Sequence, residues 1–153
     1  MSTNYQERYA VHPDDYPNYT MARLRENFHV GGLFIADEIN LVYTQIDRFI
    51  VGGACPVSKT LDLDTVNPLK AEHFLDRREL GAINVGGAGR ITVDSTVYDL
   101  AYKEALYIGA ETKEVTFESV DSANPATVFL NSATALHAYA TMWVGVDDAE
   151  KLE

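Results

Sequence analysis

The sequence contains very little cysteine. Cys55 is the single cysteine among 153 residues, so an intrachain disulfide is impossible, and a secreted scaffold held together by disulfides is excluded. Its neighbours, Ala54 and Pro56, carry no charge that would activate a thiol. We therefore expect Cys55 to be a small buried side chain and not a nucleophile.

Basic residues are also scarce. The chain has 12 Lys and Arg against 23 Asp and Glu, which gives a net charge of -11 at pH 7. A field of this sign repels phosphate backbones and anionic lipid headgroups, so we expect neither nucleic acid nor a membrane as a partner. A small anionic ligand would be repelled as well, and binding one would require a local cluster of cations.

Long hydrophobic runs are absent. The first thirty residues are polar, and no apolar stretch approaches the roughly 20 residues of a membrane-spanning helix. Nothing resembles the apolar part of a signal peptide, so we expect a cytoplasmic protein. With 46% hydrophobic residues, the chain can bury the core of one domain.

The first thirty residues predict an arm and a short helix. Residues 1–19 show no helical or alternating period, which predicts an extended arm that lies on its own domain or on a neighbouring subunit. Met21, Leu24 and Phe28 then recur at helical spacing. Because Thr20 can serve as an N-cap, we expect a short helix there.

From residue 31 onwards, runs rich in Val, Ile, Thr, Tyr and Phe alternate with turn residues, which predicts β-strands. Their regular spacing is typical of an all-β sandwich or barrel. A second short helical turn is predicted over residues 68–76. The predicted strands are residues 33–36, 39–46, 49–51, 55–63, 82–85, 90–93, 97–101, 105–108, 114–120 and 126–130.

The middle of the chain resembles the central hairpins of cupin domains. Residues 86–100 predict two strands around a turn at Asp94 and Ser95, and a third strand ends at Gly109. Other antiparallel sandwiches produce the same pattern. We therefore expect an arm with a short helix (residues 1–30), a cupin-like β-barrel or jelly-roll sandwich (residues 31–141) and a divergent tail (residues 142–153).

The histidine pattern does not indicate a metal site. Cupin metal sites usually combine a His-x-His pair with a Glu and a later His, because these side chains must converge from neighbouring strands. The chain has no His-x-His, and its histidines are scattered at His12, His29, His73 and His137. We expect this chain to bind no catalytic metal and no other cofactor.

The candidate site consists of two charged clusters beside apolar runs, Asp47-Arg48 and Arg77-Arg78-Glu79. Guanidinium groups held at such positions suit bidentate binding of a carboxylate, or contacts at a subunit interface. From the residues alone we favour a competing interpretation, in which Asp47, Asp76 and Glu79 neutralise the arginines in structural or intersubunit salt bridges. The candidate residues are Arg48, Arg77, Arg78 and Glu79.

A family resemblance includes both clusters. It rests on Arg-Arg-Glu-Leu-Gly at residues 77–81, Asn-Val-Gly-Gly at 84–87, Ile-Val-Gly-Gly at 50–53 and Glu-Ala-Leu-Tyr at 104–107, in order and spacing from about residue 4 to 139. These segments closely resemble the amino-terminal half of 5-keto-4-deoxyuronate isomerase, also called 4-deoxy-L-threo-5-hexosulose-uronate ketol-isomerase. Residues 64–70 and 131–135 are similar to the forms found in gut Bacteroides-type members.

The resemblance implies a fold and a function. Members of this family resemble bicupins, two related barrels in tandem, about twice this length and assembled as hexamers. They interconvert 5-keto-4-deoxyuronate and 3-deoxy-D-glycero-2,5-hexodiulosonate during the breakdown of pectin and other polyuronides. Their zinc, held by three histidines and a glutamate, lies in the second barrel. The resemblance therefore implies a uronate substrate class and a homo-oligomer, with zinc bound by a half that this sequence lacks.

The end of the sequence departs from the family pattern. Leu136 stands where the family usually has His, Ala140 where it has Pro, and Met142 and Trp143 where it has lysines. No role of that histidine is transferred here. The tail resembles nothing in the family, and its final Leu-Glu resembles a cloning remnant. We expect a first-half domain that is truncated, naturally half-length or engineered.

Three functions stay open. The first is the amino-terminal, non-catalytic domain of the ketol-isomerase, which contributes assembly contacts and part of the substrate pocket. The second is a stand-alone cupin-like binding or assembly module without catalysis. The third is a small self-sufficient isomerase whose metal is held by His73 and His137 from different subunits, which the residues support least.

Overall fold

In the computed structural model, which describes residues 3–149, the chain forms a two-sheet β-sandwich with one α-helix, α1 (Met21–Phe28). Short 3-10 helices lie at Tyr16–Asn18, Asn67–Leu69 and Val146–Asp148. Residues 1–2 of the predicted arm and 150–153 of the predicted tail lie outside the described residues. The strands are β1 (Thr3–Arg8), β2 (Ile39–Thr44), β3 (Ile50–Ala54), β4 (Leu61–Asp62), β5 (Arg78–Asn84), β6 (Gly89–Val93), β7 (Thr96–Leu100), β8 (Ala105–Ile108), β9 (Val115–Ser119), β10 (Val128–Thr134) and β11 (Met142–Val144).

The sandwich consists of a large and a small sheet. The large sheet has the order β1-β2-β3-β10-β5-β8-β11, and the small sheet has the order β4-β9-β6-β7. The strands pair antiparallel except for β1, which runs parallel to β2. The all-β prediction is therefore confirmed. Within residues 3–149 the two sheets do not close into a barrel, so of the predicted forms the sandwich is the one observed.

Alternating side chains build the core between the sheets. In β9, Val115 and Phe117 point inward and are buried, while Thr116 and Glu118 point outward, as the sequence predicts. Facing them from the large sheet are buried side chains such as Leu130, which is 1% exposed. Burial of each such side chain contributes about 1.5–3 kcal/mol relative to exposure. These inward positions fix the register of both sheets.

The predicted strand over residues 33–36 is wrong. These residues are irregular, and the ring of Phe34 lies over Gly53 of β3, where an added Cβ would come within 2.6 Å of it. The segment therefore covers the outer face of β3 and does not add a strand to the sheet. Glycine at position 53 is what leaves room for the ring.

The predicted strand over residues 55–63 is reduced to β4. Pro56 has no N–H group to donate to a neighbouring strand. The next two N–H groups, of Val57 and Ser58, donate to Oδ1 of Asp37 at 2.8 and 2.7 Å. A side chain thus takes the hydrogen bonds that a strand would have used.

The structure has two strands that the sequence did not predict, and one strand and one helical turn have other bounds than predicted. The arm forms β1, in which Thr3 lies opposite Ile39, so this part of the arm lies on its own domain. The three-residue β11 pairs with β8 at the other edge. The strand predicted at residues 82–85 begins four residues earlier, at Arg78, and the helical turn predicted at 68–76 is limited to Asn67–Leu69, after which Lys70 has a φ of 47°.

The predicted helix and its cap are confirmed. Oγ1 of Thr20 accepts the N–H of Arg23 at 3.3 Å, which caps α1. No residue of α1 is buried, so the helix adds little to the core. Within residues 3–149, every helix is too short or too polar to cross a bilayer. Cys55, directly after β3, is free and buried, as predicted.

Candidate functional site

A cleft of about 340 Å³ at one end of the large sheet is lined by the three arginines predicted from the sequence. Arg48 comes from the turn between β2 and β3, whereas Arg77 and Arg78 lie at the start of β5. The end of β10, at Thr134, and the segment around Leu69 complete the walls. No Asp or Glu lines this cleft, so its side chains carry only positive charge.

Arg78 is the most enclosed of the three arginines, with 4% of its surface exposed. Its Nε donates to Oγ of Ser132 at 3.1 Å, and its Nη2 donates to the carbonyl oxygens of Ser132 at 2.9 Å and Arg48 at 2.6 Å. Burial lowers the pKa of Arg78, Tyr43 opposes that shift, and the charge of Arg48 adds to it. An arginine nevertheless stays protonated in a protein.

Two hydrogen-bonding groups in the cleft have no partner among the described residues. They are Nη1 of Arg78 and the hydroxyl of Tyr43, although only 5% of Tyr43 is exposed. No fully buried side-chain nitrogen or oxygen in residues 3–149 lacks a partner, so both groups are accessible to solvent, and both residues line the cleft. The cleft therefore presents donors without internal acceptors.

The turn between β2 and β3 holds Arg48 in a left-handed conformation. Asp47 and Arg48 have φ values of 52° and 53°, which cost a non-glycine residue about 1–3 kcal/mol each. This backbone places the carbonyl of Arg48 against Arg78, while the side chain of Arg48 is exposed and lines the cleft. Strain of this kind occurs at functional sites, where the surrounding structure enforces it.

Arg77 fixes the wall of the cleft. Its Nη2 donates to the carbonyl oxygens of Leu69 at 3.1 Å and Lys70 at 3.2 Å. These bonds tie the exposed segment after the 3-10 helix to the start of β5. Arg77 thus has a structural role in addition to adding charge to the cleft.

Two of the three carboxylates that the sequence analysis paired with these arginines, Glu79 and Asp76, bind other groups. Glu79 points to the opposite face of β5, where its Oε2 accepts the hydroxyl of Tyr107 at 2.8 Å. Asp76 pairs with Lys113 at 3.2 Å and with His73 at 3.3 Å. Within residues 3–149, none of the ion pairs involves the three arginines of the cleft. Neutralisation among the described residues is therefore not found, and pairing between chains stays a prediction.

The histidines do not converge in the described part of the chain. His73 lies beside Asp76, and His12 lies 3.6 Å from Asp14. Across residues 3–149, no three His, Cys, Asp or Glu side chains come close enough to hold a metal ion. The family resemblance places its zinc in the other half, and these residues do not test that expectation. That the chain binds no metal stays a prediction.

The sequence analysis missed Tyr43 and Ser132. Ser132 follows Val128 and Leu130 on the inward side of β10 and is 1% exposed. A polar residue at an inward position of a strand indicates a buried hydrogen-bond partner, which would have been the available signal. Nothing in the sequence around Tyr43 distinguishes it from the other aromatic residues of the core.

Curated relatives match the chain along its whole length. A 4-deoxy-L-threo-5-hexosulose-uronate ketol-isomerase of Formosa agariphila is 50% identical over 153 residues, which are 100% of this chain and 55% of the relative. The enzyme of the same name from Bacteroides fragilis is 48% identical over 149 residues, 97% of this chain and 53% of the relative. That of Lachnoclostridium phytofermentans is 47% identical over 146 residues, 95% of this chain and 53% of the relative.

The chain was also compared with family models and with solved structures. No family model matches the chain. Among solved structures, protein Ylba from E. coli is similar with a TM-score of 0.46 and 13% identity, over 67% of this chain and 40% of that one. The chain spans about half the length of the curated relatives it matches. The resemblance found in the sequence is thus confirmed: the chain is a homologue of about half of each of these 4-deoxy-L-threo-5-hexosulose-uronate ketol-isomerases.

Proposed function

We propose that the chain is the amino-terminal, cupin-like domain of a ketol-isomerase acting on 4-deoxy-L-threo-5-hexosulose uronate, in the catabolism of pectin and other polyuronides. The observation that supports this proposal is 47–50% identity along almost the whole chain to enzymes of that name. Because the chain spans about half of their length, the proposal assigns it a part of the enzyme and not the whole reaction.

The domain's part in the reaction is to bind and to assemble. Ketol isomerisation moves a proton between adjacent carbons and needs a group that accepts and returns that proton. The described cleft offers arginines, which cannot serve as bases because they do not deprotonate in proteins. We assign the family's zinc to the other half of the enzyme and none to this chain. We therefore expect this chain to show no turnover by itself.

A chimera tests the proposal. The chain would replace the corresponding half of the Formosa agariphila relative, and turnover of 5-keto-4-deoxyuronate would be measured with and without added zinc. We expect turnover from the chimera, and none from this chain or from the relative's remaining half alone. A folded, zinc-loaded but inactive chimera would contradict the proposal. Turnover by this chain alone would show that it contains a complete site.

We also propose that copies of the chain associate through the outer face of the large sheet. The outward residues of β5, β8 and β10 include Ile83, Phe129 and Tyr107, and among them only Glu79 carries a charge. That charge accepts a hydrogen bond from Tyr107. Since each copy has a net charge of -11, two copies approach most favourably where charge is scarce.

Sedimentation velocity tests the association. Ile83→Glu places a charge in the middle of this face and should shift the chain towards monomer. Val97→Glu, at a position that is 56% exposed on β7 of the small sheet, is the matched control and should leave the distribution unchanged. A parent chain that stays monomeric at every concentration would rule out the homo-oligomer, and equal effects of the two variants would rule out this face.

We further propose that the domain works in the cytoplasm. Its one cysteine is free and buried, so the described fold needs no oxidising compartment. Fractionation of cells followed by immunodetection of the protein tests the location, and recovery from the extracellular or periplasmic fraction would contradict it.

A further inference from the structure

We infer that the cleft at the start of β5 is a binding site for a carboxylate, with Arg78 as its fixed anchor. Arg78 is 4% exposed, and no carboxylate of the described residues pairs with it. Arg48 adds a second positive charge close enough to lower the pKa of its neighbour. Cations taken out of water without a counter-charge are unfavourable, and an anion in the cleft removes that penalty.

The hydrogen bonds of Arg78 hold its guanidinium ready for such a ligand. Nε and Nη2 are bound to Ser132 and to the carbonyl of Arg48, which fixes the plane of the group and leaves Nη1 accessible and without a partner, in a residue that lines the cleft. A donor that is already immobile loses little conformational entropy when a ligand binds. Hydrogen bonds from arginine to a carboxylate are among the stronger ones in proteins.

Two further donors belong to residues that line the same cleft. The hydroxyl of Tyr43 lines the cleft without a partner among residues 3–149. The guanidinium of Arg48 lines it as well, is exposed, and makes no hydrogen bond to the described residues. A carboxylate has two oxygens with about four acceptor sites, so it can accept from all three groups. A neutral sugar offers no charge to the two arginines.

The size of the cleft and its remaining wall fit a small sugar acid. Its volume of about 340 Å³ lies at the lower end of the range of about 300–1,000 Å³ seen for small-molecule sites. Pro68, Leu69 and Phe74 provide an apolar part of its wall. The choice of a sugar acid, and with it of a carboxylate, rests on the proposed function, whereas the requirement for an anion rests on the arginines alone.

The same carboxylate chemistry has a second source, an Asp or Glu side chain from another copy of the chain. The two sources differ in how they depend on association of the chain. A free sugar acid binds to the monomer at any protein concentration. A carboxylate from another copy would instead make Arg48 and Arg78 necessary for association of the chain.

Calorimetric titration of the purified chain with D-galacturonate tests the inference, with neutral D-galactose and inorganic phosphate as comparison ligands. Arg48→Gln removes one charge, keeps the carbonyl that holds Arg78, and breaks no hydrogen bond among the described residues, so it should fold normally. We expect it to weaken galacturonate binding about tenfold. Arg90→Gln is the matched control, because Arg90 lies on β6 and pairs with Asp99 at the surface, and it should have no effect.

The outcomes separate the site from the proposed function. Galacturonate binding that is lost in Arg48→Gln, with no comparable binding of galactose, supports the site even if the chimera is inactive. Absence of galacturonate binding, equal binding of galactose, or equal effects of Arg48→Gln and Arg90→Gln would overturn it even if the chimera turns over. Binding of phosphate with higher affinity than galacturonate, or dissociation of an oligomer by Arg48→Gln, would overturn the assignment to a free carboxylate ligand.

Discussion

Ser132→Ala tests whether the buried arginine depends on the polar network at the end of β10. Oγ of Ser132 accepts from Nε of Arg78 at 3.1 Å and donates to the carbonyl oxygen of Glu79 at 2.6 Å, and Ser132 is 1% exposed. The first of these bonds involves a charge and is worth about 1.5–3 kcal/mol, and the second about 0.5–1.5 kcal/mol. We therefore expect the variant to lose about 2–4 kcal/mol of unfolding free energy.

Urea unfolding measured by far-ultraviolet circular dichroism provides the assay, because the linear dependence on urea gives the free energy directly. Ser95→Ala is the control, since Ser95 lies in the exposed turn between β6 and β7. A surface substitution of this kind usually changes stability by less than about 0.5 kcal/mol. The same pair of residue types is thus compared at a buried and an exposed position.

A double-mutant cycle with Arg78→Met assigns the loss to the contact itself. If Ser132 acts by holding Arg78, then Ser132→Ala should cost less in the Arg78→Met background, by about 1 kcal/mol or more. The network would be unimportant if Ser132→Ala matched Ser95→Ala. It would also be unimportant if the cost of Ser132→Ala were the same in both backgrounds.

Three other predictions concern local features. Thr20→Ala removes the cap of α1 and should destabilise that helix by about 1 kcal/mol, which would be measured as faster amide exchange within α1. Because α1 buries no residue, the urea midpoint of the whole chain should stay unchanged, and a shifted midpoint would contradict this prediction. Hydrogen bonds from the side chain and backbone of Ser58 help to lower the pKa of Asp37 from 3.8 to about 2. The stability that this carboxylate contributes is therefore present above pH 3.8 and is lost as the pH falls through about 2. The amide signal of Ser58 in NMR spectra should titrate near pH 2, and a midpoint near 3.8 would refute this prediction. Burial and, after it, the hydrogen bond to Glu79 raise the pKa of Tyr107 to about 12. The stability that the neutral phenol contributes is therefore fully present below pH 10.0, the usual pKa, and is lost as the pH rises through about 12. Compared with the parent chain, Tyr107→Phe should lack one tyrosine that titrates near 12 in ultraviolet absorbance, and loss of a tyrosine that titrates near 10 would contradict the prediction.

Local patterns predicted the parts of the fold that depend on neighbouring residues. The alternation in β9 and the cap at Thr20 are decided within a few residues, and both are as predicted. The strand over residues 55–63 failed because Asp37, about twenty residues earlier, takes two of its backbone donors. The strand β1 was missed because it is held mainly by its backbone pairing with β2, and its mostly exposed residues show no alternation.

The three arginines that line the cleft could be named from the sequence, but their assembly into one cleft could not. Arg48 and Arg78 are thirty residues apart, and they meet because β10 lies between β3 and β5 and brings the ends of those strands together. The order of strands in a sheet cannot be deduced from the pattern of one strand. Ser132, which accepts hydrogen bonds from Arg78, comes from that third strand, and its contact with Arg78 is therefore visible only in the assembled sheet.

The charge of the cleft follows from where β5 begins. If the strand started at residue 82, as the sequence pattern predicts, Arg78 and Glu79 would lie in a loop. Their side chains could then point to the same side, and Glu79 could act as a counter-ion in the cleft. Because it starts at Arg78, consecutive residues point to opposite faces, so Glu79 is carried away from the cleft and bonds to Tyr107. An adjacent carboxylate is thereby excluded as a counter-ion by the pleat of the strand. The positive charge of the cleft consequently depends on the course of the backbone, and no carboxylate of the described residues forms an ion pair with its arginines.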